Sequence, residues 1–148
     1  MPYLYSDKVF SVVNWEPTND CFPNNIRMGD GADGMAERFG HCIFFELKEE
    51  GKPVPRGQEI THESWLRIGY SVILLWHSPL HITYPIHNAT QLHEQLTIQL
   101  DTVSKINFRL FGKTIPSVVE FPQKNALQFI LRLCKFWSDR VHQLGTFK

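Results

Sequence analysis

Apolar and polar residues alternate along the stretch "HCIFFELK", His41–Lys48. With a period of two, one face of such a strand is largely apolar, whereas the other face carries Glu46 and Lys48 side by side. The following "EEGKPVPRG" predicts a turn, because proline cannot donate to a strand ladder and glycine interrupts regular structure. The pattern therefore predicts a buried strand that ends in two neighbouring charges.

Downstream, the apolar spacing changes from two to between three and four residues, which indicates helices. Alternate residues from Leu66 to Trp76 are apolar and could form one long strand. We instead predict a first helix that ends before Gly69, since glycine readily takes the left-handed conformation of a helix cap and would weaken a long strand. Asn88 and Gln91 have the spacing of a helix N-cap with a capping box. Pro122 opens a last helix with an apolar face that we expect to pack in the core. The predicted elements are strands at Lys8–Trp15, His41–Lys48, Tyr70–Trp76, Leu80–Ile86 and Ile106–Phe111, and helices at Gln58–Ile68, Asn88–Lys105 and Pro122–Leu144.

The region from Glu16 to Gly40 is rich in Pro, Asn, Asp and Gly, and it predicts loops with at most a loose hairpin. Within it, "GDGADG", Gly29–Gly34, matches the G-x-G-x-x-G pattern of dinucleotide-binding loops. Such a loop needs a buried strand before it and a full helix after it. Because "PNNIRM" precedes it and Gly40 follows closely, we interpret these glycines as a turn.

Together these elements predict one α/β domain over residues 1–148, with a mixed β-sheet flanked by helices. With 148 residues and 43% hydrophobic composition, the chain can bury a core without disulfides or a structural metal. The sheet core is expected at about residues 8–86. Residues 87–148 are expected to form a C-terminal α-helical extension that encloses the core or binds a partner.

The net charge of the chain bears on which classes of function are expected. The 15 basic and 15 acidic residues give a net charge of zero, so any nucleic-acid contact must come from a local patch. Neutrality and the aromatic-rich last helix also suit a non-catalytic protein-binding domain, such as an inhibitor, immunity or adaptor protein. In that case the last helix would contact a protein partner or a second copy of the chain.

Cysteine content and hydropathy indicate the compartment. Three cysteines without metal-type spacing indicate reduced thiols, and they predict a cytoplasmic protein. The first ten residues, "MPYLYSDKVF", lack the apolar core of a signal peptide. The longest apolar run, Val72–Trp76, is too short to span a membrane, so no membrane association is expected.

The charges at the end of the predicted strand fit metal-dependent hydrolysis of phosphodiester bonds. This chemistry needs clustered carboxylates to hold the cation and a positive group to orient or acidify water. Glu46 and Lys48 supply one of each on one strand face, and magnesium prefers hard oxygen ligands. Asp33 would supply a second carboxylate if residues 31–48 form a hairpin-like pair with "AERFG" as the connection.

At these residues the chain resembles a known family. The segment "GADGMAERFGHCIFFELKEEGKPVPRGQEITHESWLRIGYSVILLWHS", residues 31–78, resembles the core of the PD-(D/E)xK nucleases, most closely the VRR-NUC type. That family has an Asp at a turn, a strand ending in Glu-x-Lys, a glycine-proline loop, a helix begun by Gln, and a Gly-aromatic stop before a strand. The resemblance implies a restriction-endonuclease-like core in which Asp33, Glu46 and Lys48 are catalytic and both carboxylates bind Mg²⁺ or Mn²⁺. Here "GADG" replaces the family's Pro-Asp dipeptide, and no acidic helix is predicted before it.

The resemblance also implies a nucleic-acid substrate, for which we expect DNA. Lys52, Arg56 and Arg67 are close in sequence to the proposed centre, and we expect them to bind the substrate together with Gln58 at the start of the helix. The sequence therefore predicts a metal-dependent nuclease, with the non-catalytic protein-binding domain as the alternative. A nuclease would bring the three predicted catalytic residues together in an open cleft, whereas a binding protein would scatter them over its surface.

Overall fold

The computed structural model describes residues 12–22 and 33–148, and within them the chain has a mixed α/β fold. Its strands are β1 (Val12–Asn14), β2 (Gly34–Arg38), β3 (His41–Glu49), β4 (Ser71–His77), β5 (Thr97–Gln99), β6 (Val103–Arg109) and β7 (Ser117–Glu120). Its α-helices are α1 (Arg56–Ile68), α2 (Ala89–Gln95) and α3 (Leu127–Leu144), and short 3-10 helices cover Glu16–Cys21 and Leu100–Thr102.

A five-stranded sheet with the order β2-β3-β4-β6-β7 forms the centre of the fold. Strands β2 and β3 form an antiparallel hairpin, while β3 and β4 are parallel and are connected through α1. Strands β6 and β7 continue the sheet in antiparallel orientation, and β1 pairs with β5 in a separate parallel sheet. The predicted mixed sheet with helices is confirmed. Among the described residues, no helix has the length and apolar character needed to cross a membrane.

One face of the sheet forms the main core with the last helix. The inward side chains of β3, β4 and β6 are fully or nearly fully buried, and α3 packs against them with Trp137 at 0% exposure. The apolar face of α3 is therefore used in the core, as its sequence predicts. The principal residues of this core are Ile43, Phe45, Leu47, Ile73, Leu75, Ile106, Ile130, Cys134, Trp137 and Val141.

Helix α1 covers part of the opposite face. Its Leu66 packs with the β4 residues Val72, Leu74 and Trp76 in a second, smaller core. The Trp65 ring stacks on Phe44 of β3, with ring centroids 3.8 Å apart. This face therefore changes from apolar to charged along β3, because Glu46 and Lys48 follow Phe44 on the same side.

Several predicted elements are confirmed with small shifts at their ends. The predicted strands at 41–48, 70–76 and 106–111 and the predicted helix at 58–68 correspond to β3, β4, β6 and α1. Gly69 ends α1 in the left-handed conformation, with φ of 107° and its N–H bonded to Leu66 O. For the predicted strand Lys8–Trp15, residues 8–11 lie outside the described residues, and Val12–Asn14 form β1.

The segment predicted as loops, Glu16–Gly40, contains more regular structure than expected. It includes a 3-10 helix and strand β2. A tight turn at Phe39 and Gly40, with φ of 55° and 85°, connects β2 to β3, as is typical of two-residue hairpins. The hairpin hypothesis is confirmed, but "AER" lies within the strand and the connection is shorter than "AERFG". Most of "GDGADG", residues 29–32, lies outside the described residues.

The prediction of a strand at Leu80–Ile86 is wrong. Pro79 and Pro85 at its two ends have no N–H to donate to a ladder. The backbone of Thr83 is bonded instead to the Gln95 side chain, whose Nε2 donates to Thr83 O at 3.0 Å. The segment between β4 and α2 is consequently irregular.

The prediction of one helix at Asn88–Lys105 is wrong in its second half. Helix α2 ends at Gln95, and the chain continues through β5 and a 3-10 helix into β6. Four of the seven residues from 97 to 103 are β-branched, which favours extended backbone. The predicted N-cap is confirmed, because Asn88 Oδ1 accepts a hydrogen bond of 2.9 Å from the Gln91 N–H.

Two further differences lie near the C-terminal end. Strand β7 was not predicted, and α3 begins at Leu127 rather than at Pro122. A turn occupies the intervening residues: the Lys124 N–H donates to Phe121 O at 3.0 Å, and Lys124 has a φ of 52°. A positive φ cannot continue a right-handed helix, so the helix starts only after this turn.

Gly34 provides a test of the packing beside β2. A Cβ at this position would overlap the Trp15 ring, so we expect Gly34→Ala to lower the free energy of unfolding by about 1–3 kcal/mol. Gly57→Ala is the matched control, because nothing lies within 4 Å of its Cβ position and alanine favours the helix by roughly 0.5–1 kcal/mol. Urea unfolding compares the two variants. A Gly34→Ala protein as stable as wild type would contradict the close contact.

Candidate active site

Strand β3 presents Glu46 and Lys48 on the sheet face that α1 partly covers. In the β3–β4 register they lie beside Leu74 and Trp76. Glu46 is half-buried and Lys48 is buried, with 9% of its surface exposed. The alternation seen in the sequence therefore places two charged groups at the edge of an apolar core.

Asp33 lies immediately before β2, next to the end of β3. Its N–H donates to Phe45 O at 3.2 Å, and its Oδ2 accepts a hydrogen bond of 2.7 Å from the Leu47 N–H. The second bond extends the hairpin ladder beyond Gly34, with the Asp33 side chain as the acceptor in place of a backbone carbonyl. The residue as a whole is exposed, but its carboxyl group is turned toward the protein and is held beside Glu46 and Lys48.

Trp15 fixes the backbone of Asp33 from the other side. Its indole Nε1–H donates to Asp33 O at 3.0 Å. The same ring lies over Gly34 and makes an edge contact with Phe45, with ring centroids 5.2 Å apart. The position of Asp33 is therefore set by strand β3 and by the residue that follows β1.

The two carboxyl groups influence each other's protonation. Burial of its carboxyl group, together with the neighbouring Glu46, raises the pKa of Asp33 to about 6, although the Leu47 N–H and Lys48 act in the opposite direction. Burial also acts to raise the pKa of Glu46, but its interactions with His62, Asp33 and Lys48 outweigh burial, and the pKa of Glu46 is lowered. As the pH falls, Asp33 is therefore protonated before Glu46.

His62 is a further member of this site that the sequence reasoning did not select. It is buried on the inner face of α1 with 1% exposure, and its Nε2 lies 3.9 Å from Glu46 Oε1. The signal that could have indicated it is helical spacing. Gln58, His62 and Leu66 recur every four residues, so they face the sheet together, on the side that carries Glu46.

The structure brings together the predicted catalytic residues but spreads the predicted substrate-binding residues. Lys52 lines a cavity of about 420 Å³ whose wall includes Trp76 and Lys105. Gln58 is half-buried, and Arg56 is exposed and pairs with Glu59 at 3.7 Å. Arg67 is at the other end of α1, roughly 16 Å along the helix from Arg56.

Asp33 and Glu46 are the carboxylates available to a cation here. Among the described residues, no group of three or more His, Cys, Asp or Glu side chains is arranged to hold a metal ion. Two carboxylates nonetheless suit Mg²⁺, which usually keeps several waters and takes few protein ligands. The atoms available to bind a cation at this position are therefore carboxylate oxygens, which are hard ligands.

Comparisons with known proteins add no family to this geometry. No protein-family model matches the chain. Searches of curated proteins and of solved structures likewise find no match.

The raised pKa of Asp33 predicts a pH-dependent effect of Asp33→Asn in metal-free buffer. A raised pKa means that the folded state binds the proton more tightly than the unfolded state, so wild type loses stability as the pH rises from about 4 through 6. Asparagine can still accept the Leu47 N–H and carries no charge. We therefore expect Asp33→Asn to be more stable than wild type at pH 8, by on the order of 1 kcal/mol after solvent screening, and to lose this advantage at pH 4.

Urea unfolding at the two pH values in the presence of a chelator measures this effect. The exposed Asp101→Asn is the matched control outside the site. A stability difference for Asp33→Asn that is the same at both pH values would contradict the raised pKa.

Proposed function

We propose that this protein is a metal-dependent nuclease that hydrolyses phosphodiester bonds with Mg²⁺ or Mn²⁺. The observation that carries the proposal is the convergence of Asp33, Glu46 and Lys48 at the ends of β2 and β3. The resemblance of residues 31–78 to the PD-(D/E)xK nucleases assigns chemistry to the same three residues. The restriction-endonuclease-like core is part of this proposal, and it is supported by the hairpin, α1 and the parallel strand β4.

In this proposal Asp33 and Glu46 bind the cation. Two neighbouring carboxylates repel each other when both are ionised, and a divalent cation removes that repulsion. When bound, the cation would polarise the phosphate and lower the pKa of a coordinated water. Because Asp33 is exposed and Glu46 half-buried, the pair is open to solvent on one side and supported by protein on the other.

Lys48 is proposed to position or polarise the attacking water. It is on the same strand face as Glu46, and its charge favours the ionised form of both carboxyl groups. Because Lys48 is buried at the sheet edge, its side chain is largely withdrawn from bulk solvent. A fixed cation beside the phosphate can also stabilise the charge that develops in the transition state.

The substrate proposed is nucleic acid, with DNA as the expected form. Lys52 and Lys105 line one cavity with Trp76, which is the β4 partner of Lys48. A phosphate backbone that reaches Lys48 can therefore continue toward Lys52. Arg56, Gln58 and Arg67 are retained in the proposal as substrate-binding residues, with Arg67 contacting a more distant part of the substrate.

The alternative function is a non-catalytic protein-binding domain. It is supported by the zero net charge and by exposed apolar side chains on the outer side of α3, where Phe136 is 55% and Leu144 is 47% exposed. In this alternative, α3 would contact a protein partner or a second copy of the chain. The cleavage experiment below decides between the two functions.

Glu46→Gln and Lys48→Ala test the catalytic roles. We expect Glu46→Gln to abolish cleavage because it removes a cation ligand, whereas the strand stays in place through its opposite, apolar face. Lys48→Ala is expected to keep Mg²⁺ binding and to lose on the order of 10²-fold or more in rate, as for a group that acts on the reacting water. Glu63→Gln, an exposed residue of α1, is the matched control.

The assay uses single-stranded, duplex and branched DNA, and RNA, each with Mg²⁺, with Mn²⁺ and with a chelator. Calorimetry measures cation binding in parallel. A folded Glu46→Gln protein that cuts as fast as wild type would refute the mechanism. A wild type that neither binds the cations nor cuts any of these substrates would favour the protein-binding alternative.

Lys52→Ala combined with Arg56→Ala tests the substrate contacts. If both side chains contact phosphates, the slope of log affinity against log salt should become shallower by about 0.7–0.9 per contact. The exposed pair Lys113→Ala and Arg132→Ala removes the same charge elsewhere and serves as the control. Fluorescence anisotropy with labelled DNA measures the slope, and an unchanged slope would exclude both residues from the phosphate track.

A further inference from the structure

His62 is a buried imidazole directed at one of the proposed cation ligands. It has 1% exposure, and its Nε2 lies 3.9 Å from Glu46 Oε1. Burying a polar ring is unfavourable unless a polar partner compensates for the lost water. Glu46 is that partner, so the two residues form a link between α1 and β3.

An aromatic arrangement holds the His62 ring in place. The Trp65 ring lies 5.7 Å from it, centroid to centroid, and Trp65 stacks in turn on Phe44 at 3.8 Å. Phe44 precedes Glu46 by two positions on the same face of β3. The imidazole is therefore held by rings that belong to the same two elements that it connects, and it has little freedom to turn away from Glu46.

The two ring nitrogens have different surroundings. Nδ1 is buried and has no hydrogen-bond partner among the described residues. Nε2 faces a carboxylate oxygen, which can only accept when it is ionised. The arrangement therefore calls for a proton on Nε2.

We propose that His62 is a positioning residue that holds Glu46 Oε1 through its Nε2–H and leaves the second oxygen of Glu46 to bind the cation. The proposal rests on the proposed function, since it assigns His62 a role toward the same cation. The carboxylate is then held in one orientation before the cation arrives. His62 itself contacts neither the cation nor the substrate.

Two substitutions of His62 distinguish a hydrogen bond to Glu46 from a role in packing alone. In His62→Gln the side-chain amide nitrogen can occupy the place of Nε2 and donate to Glu46. In His62→Asn the amide nitrogen can reach only the place of Nδ1. We expect His62→Asn to weaken Mg²⁺ binding by about 10-fold or more, as is typical when a residue that orients a ligand is lost, and His62→Gln to remain close to wild type.

Calorimetry on the full chain measures these affinities, and His93→Asn, an exposed histidine of α2, is the matched control. Cleavage by His62→Asn should recover when Mg²⁺ is raised, because the defect is in cation binding, whereas Lys48→Ala should not recover. If His62→Asn and His62→Gln bind Mg²⁺ as tightly as wild type, the positioning role is wrong while the proposed function stands.

A further measurement requires no metal. The nitrogen chemical shifts of His62 in the wild type should show a proton on Nε2, and a neutral ring protonated only on Nδ1 would overturn the proposal even if no variant folds. If wild type fails to bind Mg²⁺, the proposed function and the cation-positioning role both fail, and these spectra then report only whether the His62–Glu46 contact exists.

Discussion

The hydrogen bond from the Leu47 N–H to Asp33 Oδ2 is the contact on which the candidate site depends. The pairing of β2 with β3 ends at Gly34 opposite Phe45, so the backbone of Leu47 has passed the end of its neighbouring strand. A carboxylate takes the place of the next backbone acceptor. One interaction thus completes the strand edge and fixes Asp33 beside Glu46, which couples the geometry of the site to the integrity of the sheet.

The charges around this bond are only partly balanced. Two carboxyl groups lie close together at the edge of an apolar core, and burial, with a smaller contribution from Glu46, raises the pKa of Asp33. Lys48 and His62 offset part of the repulsion from the protein side. A site that binds a cation is expected to carry such a remaining negative charge, because complete neutralisation within the protein would remove the attraction for the ion.

The sequence was most informative where structure depends on local patterns. Strand β3, helix α1 and its glycine cap at Gly69 follow from alternation, helical spacing and a single left-handed residue. The strand character of β2 could not be predicted in the same way, because "GMAER" is short and mixed and becomes a strand only by pairing with β3. His62 was missed for a related reason. Its partner Glu46 lies on another element, so the pairing depends on how α1 crosses the sheet.

Trp15 connects the candidate site to a contact between distant parts of the chain. It directly follows β1, whose Asn14 Nδ2 donates to Gln99 Oε1 at 2.9 Å across a separation of 85 residues. Contacts within the β2–β3 hairpin are far closer in sequence, and such local contacts form faster than distant ones. The hairpin can therefore assemble before Trp15 reaches Gly34. A local opening of β1 from β5 could remove the Trp15 hydrogen bond from Asp33 O while the five-stranded sheet stays folded. The arrangement of the two carboxylates therefore depends on a distant contact in the chain as well as on the local hairpin.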